Sequence, residues 1–255
     1  MNTIKLNVIG ELASSAEGGS GGGGGNTPSG GEGVVTIDFS SIGYDNDDAK
    51  FVQDKAKADI AYSKTLYDAW DASRTNTYNL YNNNKKIVYA PNIDTSNVTT
   101  MGSMFNNCSA LTTIPQLDTS SVTDMSNMFS GCKALTFIPQ LDTSSVTDMS
   151  SMFYYCSELT TIPQLNTSNV TDMGGMFDNC SALENLGGFV NCKVSLNLSN
   201  SSKLTHQSLI NVINNLYDLT ANGLSGQTLT LGSTNMAKLT ADEIAIATNK
   251  GWTIK

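Results

Sequence analysis

The sequence predicts an α/β solenoid with a parallel β-sheet: about four regular 24-residue coils, a helical N-terminal cap and a strand-helix C-terminal cap. Three observations predict it. A unit reading DTSSVTDMSNMFSGCKALTFIPQL from Asp118 recurs in phase, with copies starting at Asp94, Asp118, Asp142 and Asn166. Equivalent positions keep their offsets with no insertion or deletion, as in Val98, Val122, Val146 and Val170 or Cys108, Cys132, Cys156 and Cys180, and such phasing marks stacked equivalent units. Within one unit the apolar residues Val122, Met125, Met128, Phe129, Cys132, Leu135, Ile138 and Leu141 recur in the neighbouring copies. So short a coil cannot enclose a core of its own, so each apolar ring has to stack on the next.

Each part of the unit has an expected role. Leu135 to Leu141, with β-compatible residues and Pro139, reads as the sheet-forming strand, neighbouring coils adding parallel strands ~4.8 Å apart. One strand per coil is expected, at Leu111, Leu135 and Leu159. The return path from Val122 to Cys132 has the spacing of a short helix or irregular helical turn. Asp118, Thr119 and Ser120, residues that favour turns and helix starts, introduce it. The expected solenoid is right-handed and runs from about Lys86 to Lys255.

The pattern C-x-x-L-T-x-I-P-x-L-D-T-S-x-V-T-x-M-x-x-M-F resembles the BspA-type leucine-rich repeat of bacterial surface proteins and gut phage proteins, over residues 87–189. All eight apolar positions and the proline agree in the second and third copies. The fourth departs, with Leu186, Gly187 and Gly188 where Ile, Pro and Gln stand elsewhere, which marks the end of the regular array. The resemblance implies a leucine-rich-repeat solenoid that binds or adheres, with ligands differing between members, and it carries over no catalytic residue.

Composition narrows the function classes. The 255 residues are 39% apolar, enough for a sizeable core, and the net charge of −9 with a pI near 4.4 argues against nucleic acid or membrane insertion as partners. Charged residues make up 15%, below the roughly 25% of ordinary soluble domains. Ser, Thr and Asn do the solvating, as on an extracellular or virion surface. Four of the five cysteines share one repeat position beside Phe and are expected as buried free thiols. Cys192 has no zinc spacing, so neither metal nor other cofactor is expected. Sequons such as Asn97 to Thr99 follow from an Asn/Ser/Thr-rich repeat.

Around the repeats the expected domains are 1–17, 18–33, 34–86, 87–189 and 190–255. Thr3 to Ile9 alternates as a strand, unlike a secretory signal. A lone strand is unstable, so residues 1–17 are expected to attach the chain to a parent particle or oligomer. Residues 18–33 read as a Gly-rich linker. Val34 to Phe39 follows as a strand and Asp45 to Ser73 as an amphipathic capping helix. The run Asp45, Asn46, Asp47, Asp48 lacks the glycine and terminal glutamate of a calcium loop and suits a helix start. Near the C-terminus, Val194–Leu198, Thr228–Leu231 and Trp252–Lys255 read as strands separated by helices, one with the stripe Leu209, Val212, Ile213, Leu216, Leu219 and one opened by a Thr240/Glu243 capping box. They are expected to continue the same parallel sheet.

No motif points to catalysis. His206 reads as a solvated helix-start residue, the glycine run lacks a phosphate-loop context, and Asp124, Asp148 and Asp172 read as helix-face solvation rather than a calcium ladder. The chain is expected not to be an enzyme. Surface positions that change between coils are the candidate contacts: Phe137 where neighbours are Thr113 and Thr161, and Tyr154 and Tyr155 where neighbours are Asn, Ser, Gly or Asp. The expected function is a binding or adhesion module, on a phage virion, presenting the solenoid to a host-surface protein or glycan. A bacterial cell-surface adhesin and a decoration protein of an assembly are the alternatives.

Overall fold

The computed structural model describes residues 3–9, 32–38, 75–224 and 226–255. The helix expected over Asp45–Ser73, with the acidic run that opens it, lies outside them. The chain divides into two units, Met1–Thr65 and Leu66–Lys255.

In the first unit, strand β1 (Thr3–Ile9) pairs antiparallel with β2 (Glu32–Asp38), from Thr3 opposite Asp38 to Ile9 opposite Glu32. This corrects the expectation of an unpaired strand. The VVTID run supplies the partner, and looping the intervening residues costs only a slowly growing closure entropy. The glycine-rich stretch therefore joins two paired strands, and β2 begins inside the segment read as linker.

In the second unit the 24-residue repeats stack. Phe105, Phe129, Phe153 and Phe177 form one interior column with Tyr81 before and Phe189 after, successive ring centroids lying 5.4, 5.7, 5.8, 6.0 and 5.9 Å apart. The two central steps are nearly parallel, at 4° and 5°, the offset-stacked geometry that aromatic quadrupoles favour. Val122, Met125, Met128, Leu135, Ile138 and Leu141 are buried, as are their counterparts. The stack begins earlier than the expected Lys86. Thr77, Leu80 and Tyr81 occupy the places of Met101, Met104 and Phe105, and the N–H of Thr77, Asn79, Tyr81 and Asn83 donate to the carbonyls of Thr100, Gly102, Met104 and Asn106.

The return path is not helical. In each coil alternate N–H groups leave for the next coil, as from Met125, Asn127, Phe129 and Gly131 to the carbonyls of Asp148, Ser150, Met152 and Tyr154. The N–H groups between them close four-residue turns, as Met128 to Met125 and Ser130 to Asn127. Two left-handed residues per coil make this possible: Asn79, Ser103, Asn127, Ser151 and Gly175 in one row, and Asn83, Asn107, Gly131, Tyr155 and Asn179 in the other, all with φ between 53° and 74°. A recurring left-handed residue ends any helical turn, so the apolar spacing arises from a chain of turns.

The proline-bearing segment is less sheet-like than expected. Thr113 and Phe137 make isolated parallel bridges, and only β3 (Thr161–Ile162) with β5 (Asn185–Leu186) and β4 (Leu165–Asn166) with β6 (Phe189–Val190) form pairs. Pro163 separates β3 from β4, because it has no N–H for the ladder. A more continuous ladder runs on the return side, through bridges linking Asn76, Thr100, Asp124, Asp148 and Asp172.

Side chains reinforce the stacking. Thr99, Thr123, Thr147 and Thr171 each donate both N–H and hydroxyl to the carbonyl of the residue 24 positions earlier. Each thiol of Cys108, Cys132, Cys156 and Cys180 donates to a carbonyl 27 residues earlier, at 3.0 to 3.1 Å. All five cysteines are free and buried. Burial pushes Cys108 and Cys180 up to about 12, Cys192 up to about 11, and Cys132 and Cys156 well above an ordinary thiol. Because the thiolate is the nucleophile, native protein is expected to leave all five unmodified by a disulfide reagent and to titrate all five once denatured. Rapid labelling of the native chain would place a thiol outside the interior.

At the C-terminal end a helix takes the place of the next strand. Helix α1 (His206–Asn214), capped by Thr205, lies 24 residues beyond the strand segment, and Ser208 Oγ accepts from Leu186 N while donating to the Glu184 carbonyl. Leu209, Val212 and Ile213 are its buried stripe. Leu216 lies past the helix end and bridges Cys192 in the 24-residue register. Lys250 Nζ binds the carbonyls of Ile213, Asn214 and Leu216 beyond that end, where a cation complements the helix dipole.

Three strands then form a separate parallel sheet in the order β7 (Leu196–Asn197), β8 (Thr228–Thr230), β9 (Thr253–Ile254). The offset between Leu196 and Leu229 breaks the 24-residue register, so this sheet does not extend the coil ladder as expected. Helices α2 (Gly232–Met236) and α3 (Ala241–Asn249) separate β8 from β9, and Thr240 and Glu243 complete the capping box of α3.

Candidate binding surface

Tyr155 occupies the second left-handed position of its coil, where the other coils carry Asn83, Asn107, Gly131 and Asn179. Its backbone takes φ 57°, in the left-handed region. Tyr155 N donates to the Asp178 carbonyl at 2.9 Å, Gly131 N donates to the Tyr154 carbonyl at 2.7 Å, and Cys156 N closes the turn onto the Phe153 carbonyl at 3.0 Å. Phe153 and Cys156 are themselves locked into interior columns. A left-handed conformation costs an ordinary L-residue roughly 1–2 kcal/mol, and asparagine or glycine escapes most of it. The Tyr155 ring meets that of Tyr154 edge to face at 4.6 Å. The two side chains remain 43% and 37% exposed, so the pair stands as a ridge on the coil surface.

Phe137, the third predicted contact, is 49% exposed but belongs to a different row, bridged to Thr161 on the proline side. The turn Cys156–Leu159 and the residue following it separate that row from the tyrosines. Among the described residues no ring contact joins it to Tyr154 or Tyr155. Two further exposed aromatics were not singled out from the sequence, Tyr78 and Tyr89. Stepping back 24 residues from Thr113 reaches Tyr89, and the same step from Gly102 reaches Tyr78. A Cβ at Gly102 would lie 2.7 Å from ring carbons of Tyr78, so that ring rests on bare backbone.

The carboxylates serve local turns. Asp124, Asp148 and Asp172 accept the N–H two residues ahead, from Ser126, Ser150 and Gly174 at 2.8, 2.8 and 2.7 Å. They are turn residues and not a helix face. Asp94, Asp118 and Asp142 do the same one row away. The Ser96 N–H and hydroxyl lower Asp94, and the hydroxyl and N–H of Ser120 and Ser144 lower Asp118 and Asp142; charges on Asp94 and Asp142 partly oppose the shift at Asp118. Among the described residues no group of three metal-ligating side chains is present, and no helix is long and apolar enough to cross a membrane. His206 starts α1 and meets Glu243 Oε1 at 2.9 Å on an exposed surface.

Residues 72–189 match the model of a family described as "Mycoplasma protein of unknown function, DUF285", a match compatible with BspA-like repeats. It starts close to the early coil built on Tyr81 and ends at Phe189, the last ring of the column. Searches of curated proteins and of solved structures find no match.

Proposed function

We propose that the chain is a non-enzymatic binding module, a leucine-rich-repeat solenoid of BspA type displayed on a virion, which engages a host-surface protein or glycan through Tyr154 and Tyr155. One observation carries the reading: a bulky exposed aromatic sits at φ 57° in a row where asparagine and glycine satisfy the same turn. Strain held at a surface position clusters at functional sites. The ring of Tyr154 steadies it, so little side-chain freedom is left to lose on binding. Low surface charge supports an extracellular setting. Attachment to the parent particle through residues 1–17 fits a two-stranded sheet, in which each strand pairs along one edge only among the described residues.

The test is the double variant Tyr154→Asn/Tyr155→Asn, which restores residues suited to the turn. Stability is expected to rise by about 1 kcal/mol as the left-handed strain is relieved. Binding to host cells or to a glycan array is expected to fall by about tenfold or more, as for an aromatic hot spot. Undiminished binding would remove this ridge from the function, and a lowered melting temperature would show that the rings pack into the fold.

A further inference from the structure

The proline side carries a second aromatic series, in the row Tyr89, Thr113, Phe137, Thr161, Asn185. Parallel bridges join Tyr89 to Thr113 and Phe137 to Thr161, and β3 pairs Thr161 with Asn185. Beside the remaining step, Gln116 Nε2 donates to the Gln140 carbonyl at 2.7 Å and keeps the 24-residue register. Two rings therefore stand two coils apart in this row, with Tyr89 46% and Phe137 49% exposed. At ~4.8 Å per coil the ring-bearing positions are about 10 Å apart, with the half-buried Thr113 midway. No residue of the row is charged, and the neighbouring proline row adds none.

Two exposed rings two coils apart suit a ligand whose apolar face returns at the same spacing. In an extended β-1,4-linked glucopyranose chain successive sugars turn over, so the same apolar C–H face returns every second sugar, at about the spacing of two coils, while the equatorial hydroxyls project along the edges of the ribbon. An anionic polymer would instead meet a net charge of −9. A protein partner calls for a contiguous apolar patch, whereas this row sets its two rings two coils apart with Thr113 between them. We propose that the row from Tyr89 to Asn185 is a binding rail for an uncharged, extended β-1,4-linked polysaccharide. The proposal rests on the chain being a binding module, and it adds a ligand class and a surface separate from Tyr154 and Tyr155.

Calorimetric titration of the full chain with cellohexaose, chitohexaose, cellobiose and maltohexaose tests it. At least one β-1,4 hexamer is expected to bind about tenfold or more tighter than cellobiose, which cannot span two rings, and tighter than the α-linked hexamer. Phe137→Thr should weaken the hexamer by about tenfold. Asn185→Tyr places a third ring in phase, two coils beyond Phe137, and should tighten binding, whereas Thr161→Tyr, out of phase, should not. Equal gains from Asn185→Tyr and Thr161→Tyr, or an unaffected Phe137→Thr, would overturn the rail. So would a wild type that binds host cells through Tyr154 and Tyr155 yet neither β-1,4 hexamer, an outcome that leaves the binding-module reading standing. Hexamer binding undisturbed in Tyr154→Asn/Tyr155→Asn supports the rail as a separate site.

Discussion

Replacing Phe129 with alanine is expected to cost about 3–5 kcal/mol, the range for truncating a buried phenylalanine. Phe129 is fully buried at the centre of the ring column, stacked at 5.7 Å on Phe105 and 5.8 Å on Phe153. Collapse into the vacated space is blocked, because the backbone above and below is tied by the bonds from Phe129 N to the Met152 carbonyl and from Phe105 N to the Met128 carbonyl. The cavity therefore stays open, and the loss of ring contacts on both sides places the cost in the upper part of that range. In a stack each coil is stabilised by its two neighbours, so truncation in the middle weakens two interfaces at once, while the same change at Phe189, where the ring is tilted by 54°, weakens one. A denaturant series comparing the two variants checks this. A midpoint shift near zero for Phe129→Ala would place the ring at the surface.

Gly187→Ala is expected to destabilise by about 1–3 kcal/mol, towards the upper end, as an overpacked contact that backbone cannot relieve. Gly187 stands where the earlier coils carry Pro91, Pro115, Pro139 and Pro163. Unlike them it has an N–H, which donates to the Ile162 carbonyl at 2.9 Å and draws the fourth coil onto the third. A Cβ there would press on Gln164 N and Pro163 C, neither of which is a flexible side-chain end. Leu186 and its bond to Ser208 Oγ are next in line, so the damage should spread to the packing of α1. Faster hydrogen exchange confined to Leu186–Asn214 would accompany the lowered midpoint; an unchanged midpoint would show that the coils separate there without loss.

The repeat length, the interior set from Val122 to Leu141, the buried cysteine row and the exposure of Phe137, Tyr154 and Tyr155 were all legible in the sequence. Each follows from side-chain chemistry repeated in register, and burial has to repeat when the chain does. The path of the backbone was not legible. Val122, Met125, Met128, Phe129 and Cys132 have helical spacing, yet successive turns bury the same residues, and what selects turns is the left-handed pair represented by Asn127 and Gly131. Asparagine, serine and glycine in a surface row read first as solvation. The early coil went unread because Tyr81 replaces phenylalanine and Thr77 replaces methionine, and only the shared hydrogen bonds reveal the equivalence.

The sequence by itself determined which side chains lie inside and that consecutive coils are equivalent, because a fixed period and a fixed apolar set admit one burial pattern. Tertiary structure alone decided the pairing of β1 with β2, the replacement of the strand after β5 by α1 and the strain at Tyr155. Each of these depends on where a backbone N–H finds its acceptor, and that is set by chain segments far away in sequence.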